Sequence, residues 1–182
     1  MQTLAVIDPE QASGSTRQLM DRVSQRLGRV PQMFRLLANS PAAAEAYLQF
    51  NLALAQATLP AQTRALIAVV LAETGDCAYS RVIARAQAAG NGVAEEAVAA
   101  AVKGEAADAK TTAALRFARQ AVLVHGHLPP QAVDALRAAG YGDAEVVEIV
   151  ACIALNLFRN YFNLIAGTEI DPPPAAVQPA VQ

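Results

Sequence analysis

Cys77 and Ser80 lie three residues apart in the segment Glu73-Thr74-Gly75-Asp76-Cys77-Ala78-Tyr79-Ser80-Arg81. A thiol followed at that spacing by a hydroxyl is the pattern of a helical dithiol pair with one sulfur replaced. Gly75 ends an apolar run and Asp76 can cap a new helix, so one is predicted from Cys77 to about Ala89. The free N–H groups and positive dipole end of its first turn attract an anionic sulfur. Ser80 shares a face with Cys77, and Ala84 is one turn further along the same stripe. A working dithiol centre needs a second thiol and a proton carrier on that stripe, and the chain offers a serine and an alanine. Cys77 is then either a lone reactive thiol that peroxide converts to a sulfenic acid or a small buried hydrophobe.

Other groups can assist or merely surround it. Glu73 and Asp76 are the nearest acids and would serve either as a proton relay or as capping and solvated charge. Tyr79 would cover the site or simply pack. Arg64, Arg81 and Arg85 can stabilise an anion, although surface charge or ion pairing at a subunit interface is the simpler role. His125 and His127 form an H-x-H pair in a Pro/Gly loop, a spacing found in metal sites. No Cys or carboxylate lies close in sequence to complete a set, so a solvated loop is expected. Cys152 sits among Val150, Ile153 and Leu155 and reads as core. Asn156, Asn160 and Asn163 recur at near-helical spacing and read as polar packing. No metal and no cofactor are implied, since there is no Gly-rich phosphate loop and no convincing ligand set.

The elements that must position these groups are helices. The chain has 182 residues, 54% hydrophobic and 16% charged, with a net charge of −2. Strand-type alternation is absent, and Ala, Leu, Gln, Glu and Arg dominate. Helices are expected from a Ser15-Thr16 cap to about Leu27, after Pro31, from Ser40-Pro41, from Pro60 to Glu73, and from Cys77. Further helices are expected over Val93–Val102, Ala107–Val124, Gln131–Ala139 and, capped by Asp143, Ala144–Ala166. The fourth is apolar on nearly every face after Arg64, as a core helix is. Residues 1–171 read as one all-α domain, with a proline-rich tail over 172–182. A chain this apolar is expected to bury helix faces between subunits. No basic stripe points to nucleic acid. The apolar runs are too short for a membrane span, and no signal-type leader is evident, so a cytoplasmic protein is expected.

Three stretches carry a resemblance to a known family: Arg29-Val30-Pro31-Gln32-Met33-Phe34-Arg35-Leu36-Leu37-Ala38-Asn39-Ser40-Pro41, the segment from Leu59 to Ser80, and Asn160-Tyr161-Phe162-Asn163-Leu164-Ile165-Ala166-Gly167-Thr168-Glu169-Ile170-Asp171. The sequence resembles the carboxymuconolactone decarboxylase family in its AhpD-like, peroxidase-related branch, over roughly residues 25 to 173. The resemblance implies an all-α AhpD-like fold, a homo-oligomer (dimer, trimer or hexamer), a small hydroperoxide or hydrophobic ligand, and an external thiol reductant in active members. It also implies an antioxidant oxidoreductase with a Glu, then eleven residues, then Cys-x-x-Cys-x-x-x-His. On this chain those positions hold Ala65, Cys77, Ser80 and Ala84. A hydroxyl cannot close a disulfide and an alanine cannot relay a proton. The expectation is therefore a peroxide-reductase scaffold whose usual dithiol cycle is lost. The alternative is a non-catalytic assembly or small-molecule-binding scaffold. Lactone decarboxylation is a weaker third, because it needs a proton donor and an anion pocket.

Overall fold

The structure, a computed structural model, describes residues 2–172. The described residues form helices α1 (Gly14–Leu27), α2 (Gln32–Leu37), α3 (Pro41–Ala55), α4 (Ala61–Thr74), α5 (Ala78–Gly90), α6 (Glu95–Val102), α7 (Ala109–Leu123), α8 (Pro130–Ala138) and α9 (Asp143–Ala166), with no strand among them. The tail expected over 172–182 lies outside the described residues beyond Pro172.

Helix α4 is the centre. Thr63, Ala65 and every residue from Leu66 to Ala72 are buried, so no face is left for water. A helix without a polar face must be enclosed, and α5, α6, α7 and α9 pack around it. The small side chains of Ala65, Ala68 and Ala72 meet those of Ala84, Ala88, Ala101, Ala114 and Ala118 in one buried cluster. Near its start, Arg64 curls back onto the carbonyls of Ala57 and Leu59 and that of Ala55, the last residue of α3. Arg64 is thus a positive cap at a helix C-terminus, rather than free surface charge.

The end of α4 corrects the sequence expectation. Asp76 does not cap α5. It takes a left-handed φ of 47°, its N–H donates to Glu73 O, and the Cys77 N–H donates to Ala72 O at 3.2 Å. This pair of bonds is a Schellman turn, in which the left-handed residue is usually glycine. Cys77 itself is the N-cap of α5 in extended geometry. A similar correction applies at α1, which Ser13 precedes without a side-chain cap. Ser40 and Asp108 do cap α3 and α7, accepting from Ala43 N and Thr111 N. At α9 the cap residue is Gly142, whose N–H donates to Glu145 at 2.9 Å.

Helix α9 is long and apolar enough, by length and composition, to cross a membrane, contrary to the expectation that no segment is. Its inner face, however, carries buried Asn156, Arg159, Asn160 and Asn163 and packs on α3, α4, α5, α7 and α8. Its outer face exposes Val147, Val150, Phe158, Tyr161, Leu164 and Ile165.

One close approach locks α9 to α4. Asn160 Nδ2 donates to Leu71 O at 2.9 Å, beside Gly75. A Cβ on Gly75 would stand 2.8 Å from that nitrogen, while the backbone of Gly75 (φ −87°, ψ 2°) suits any residue. Gly75→Ala should therefore lower stability by about 1–3 kcal/mol through overpacking alone. Urea denaturation should show most of that loss disappearing when Asn160→Ala accompanies it.

Candidate functional site

Cys77 is held from both sides by the backbone. Its N–H is bonded into the end of α4 and its carbonyl accepts the Arg81 N–H at 2.9 Å in the first bond of α5. The residue is 1% exposed. Ser80 in the first turn of α5 is fully buried, and its Oγ has no hydrogen-bond partner among the described residues. Ala84, one turn on, is also fully buried. Cys77, Ser80 and Ala84 are thus all buried, but Cys77 precedes the first turn of α5 in extended geometry, so only Ser80 and Ala84 lie on the helical stripe expected from spacing. A buried hydroxyl without a partner is uncommon and carries a desolvation cost.

Ala65 belongs to the same buried cluster as Cys77 and Ala84. It is buried on α4 and lines a cleft of about 240 Å³ together with Arg64, Gln87, Cys152, Asn156 and Arg159. Neither Cys77 nor Ser80 lines that cleft. Nor do they line the adjoining one of about 370 Å³, which has Phe34, Tyr47, Tyr79 and Ile83 in its walls.

The expected auxiliary groups are committed to other partners. Glu73 accepts from Arg81 Nε at 2.8 Å and stands 3.7 Å from Arg85. Asp76 pairs with Arg81 at 2.5 Å, and Arg85 also pairs with Glu95. This chain of ion pairs runs along the rim of α5, where such contacts add little stability and bind up both acids. Tyr79 is a tie rather than a cover. Its hydroxyl donates to Asp171 at 2.8 Å and accepts from the Met33 N–H at 3.3 Å. Burial, and then the Asp171 carboxylate, push its ionisation far above the ordinary tyrosine range, so it stays a neutral phenol. Asp171 accepts in turn from the Gln32 N–H. Two of the free N–H groups that open α2 are thus satisfied by residues from α5 and from the segment after α9.

His125 and His127 are exposed, with His125 at a left-handed φ of 53° just after α7. Among the described residues no group of three His, Cys, Asp or Glu side chains converges as a metal site would require. Cys152 is buried as expected, and burial raises its thiol pKa to about 11. Both cysteines are free thiols.

Sequence reasoning missed two residues with structural weight. Asp171 has no local signal, because its partners lie more than ninety positions away. Arg159 does have one. It falls seven residues after Cys152 and three after Asn156, on the inner face of α9. Its side chain is buried, with Nη2 donating to Asn156 Oδ1 at 2.6 Å, Nη1 to Gln87 Oε1 at 3.3 Å, and Nε to no atom of the described residues.

Removing the Tyr79 hydroxyl isolates the tie. Tyr79→Phe leaves the Met33 N–H and one Asp171 oxygen without partners at almost unchanged volume. It should cost about 1–3 kcal/mol, read as a lower urea midpoint with an unchanged slope.

Comparison with known proteins places this geometry in a family setting. Residues 41–123 match the model of the carboxymuconolactone decarboxylase family, a range that contains the whole Cys77 segment. No curated protein matches the chain. Among solved structures, the chain is similar to the AhpD core of an uncharacterized peroxidase-related protein from Ralstonia eutropha JMP134. The TM-score is 0.83 at 21% identity, over 93% of this chain and 92% of that one. A peroxidase-related protein from Silicibacter sp. TM1040 gives 0.82 at 18%, over 93% and 90%. A cysteine-to-alanine variant of the debrominase Bmp8, in complex with 2,3,4-tribromopyrrole, gives 0.75 at 22%, over 94% of both chains.

Proposed function

Because the chain belongs, through residues 41–123, to the carboxymuconolactone decarboxylase family and has the AhpD-like all-α fold, we propose that it is a peroxide-reductase scaffold that does not run a dithiol cycle and serves to bind a small organic molecule. One observation carries this. The Cys77 thiol is buried, and of its neighbours Ser80 cannot form a disulfide and Ala84 cannot transfer a proton. In peroxide reduction by a dithiol, one thiolate takes an oxygen as the O–O bond breaks and an alcohol leaves, and the second thiol then displaces water from the sulfenic acid to form the S–S bond. That step needs a second sulfur three residues on and a base to remove its proton. Glu73 and Asp76 are both paired with Arg81 on the rim of α5. The two clefts beside Ala65 and Tyr79 give the scaffold space for a ligand. The debrominase in complex with tribromopyrrole is an example of this fold holding a small aromatic compound. Decarboxylation of a lactone is the least supported use, since no carboxylate or histidine lines these clefts.

A second reading rests on Ser80. Its unpartnered Oγ is a spare donor one turn from the sulfur. In a single-thiol cycle the Cys77 thiolate attacks the peroxide, an alcohol leaves, and the sulfenic acid is returned to thiol by an external thiol reductant.

The two readings separate in one assay of hydroperoxide consumption with dithiothreitol. The expected result is no turnover by the protein, and measurable turnover when Ala65→Glu, Ser80→Cys and Ala84→His are introduced together. Turnover by the unaltered chain, abolished in Cys77→Ala and accompanied by dimedone labelling of Cys77, would establish the single-thiol cycle instead.

The outer stripe of α9 supports self-association. Six large apolar side chains exposed on one 24-residue helix form a surface that a second copy can cover with its own. Light scattering should give a mass at least twice 19.0 kDa, reduced to one chain in Val150→Glu/Ile165→Glu. A monomer in the unaltered protein would exclude this use of the face.

A further inference from the structure

We infer that Arg159 is the anchor of a binding site for a small aromatic carboxylate, the inference resting on the ligand-binding reading above. Arg159 carries an electrostatic imbalance. A guanidinium stays protonated in a protein, and this one is 4% exposed. Its two described partners, Asn156 and Gln87, are neutral amides, and its Nε donates to nothing among the described residues. None of the ion pairs among the described residues includes it. A buried cation without a counter-charge is among the least favourable arrangements in a protein interior. A residue kept in that state is complete only when an anion reaches it.

Space for that anion lies on both sides. Arg159, Gln87 and Asn51 line both the 240 Å³ cleft and the 370 Å³ cleft, so the guanidinium stands where the two adjoin. Neither cleft is lined by an Asp or a Glu. Arg64 contributes to the smaller one, and Arg26 and Arg29 to the larger. In a chain of net charge −2, four arginines and no Asp or Glu among the lining residues of two adjoining clefts favour an anionic occupant.

The walls define the rest of the ligand. Alongside Arg159 the larger cleft presents Phe34, Tyr47 and Ile83, and the rings of Phe34 and Tyr47 stand 5.9 Å apart with a 57° tilt. A flat apolar body fits such walls. The planar donor fork of arginine matches a carboxylate at the body's end. A fully hydrated anion such as free phosphate would leave these walls unused.

Calorimetric titration of the full chain with benzoate, benzamide and inorganic phosphate tests the assignment. Benzoate should bind at least about tenfold more tightly than its neutral isostere benzamide, and more tightly than phosphate. Arg159→Met should abolish the preference for benzoate while melting no lower than the unaltered protein, because an unpaired buried charge has been removed. Ile83→Trp, which fills the cleft and leaves Arg159 in place, should block benzoate with helix content unchanged by circular dichroism. If Arg159→Met does not fold, the benzamide comparison and Ile83→Trp decide the matter. Equal affinity for benzoate and benzamide, absence of benzoate binding at millimolar concentration, or binding that survives Ile83→Trp overturns the site. Phosphate binding in preference to benzoate also overturns it. The peroxide assay is read separately, so a failure here leaves the loss of the dithiol cycle standing.

Discussion

Over residues 65–72, α4 has no side that water can touch. Eight consecutive buried residues oblige four other helices to surround it. Alanine on both sides of the contacts lets them approach closely. The ends of α4 then become the places where polarity must be restored at once. Arg64 does this at the start by reaching the carbonyls that close α3. The Schellman turn at Asp76 does it at the other end, and it sets the direction in which α5 departs. The position of Cys77 is a result of how α4 stops.

Much of this was legible in the sequence. The helices were readable from their punctuation, because Pro31, Pro41, Pro60, Gly28 and Gly75 act locally. The completely apolar pattern of residues 65–72 was enough to name the core helix. Ser80 and Ala84 share a buried face of α5 as helical spacing suggests, while Cys77 stands just before the helix in extended geometry. The role of Asp76 was not legible. An Asp before a helix looks like a cap, but the preceding helix ended first and took the same residue for its left-handed turn. Two local signals competed, and only the backbone geometry shows which prevailed.

Long-range polar pairings were hidden for a different reason. The tie from Tyr79 to Asp171 and Met33 joins segments with no sequence proximity. Arg159 looked like one more charged residue in a helix rich in asparagine. Its place on the inner face could have been found by extending the period from Cys152 through Asn156, but hydrophobic periodicity does not count an arginine as core. The inner face of α9 is unusually polar as a whole. Asn160 anchors it to Leu71, and Asn163 reaches Met33. These bonds fix the rotation of α9 against α4 more narrowly than apolar packing alone would, since rotating it breaks directional contacts.

The double backbone attachment of Cys77 has an evolutionary consequence. Its N–H belongs to the turn that ends α4 and its C=O to the first bond of α5, so both structural duties are performed by atoms that every residue but proline possesses. A side chain of similar volume can replace it without breaking either backbone bond. Reactivity and architecture are separable at this position. A lineage built on this frame can discard sulfur chemistry at this position by one substitution that leaves both backbone bonds in place. The same frame can then accommodate members with quite different trades.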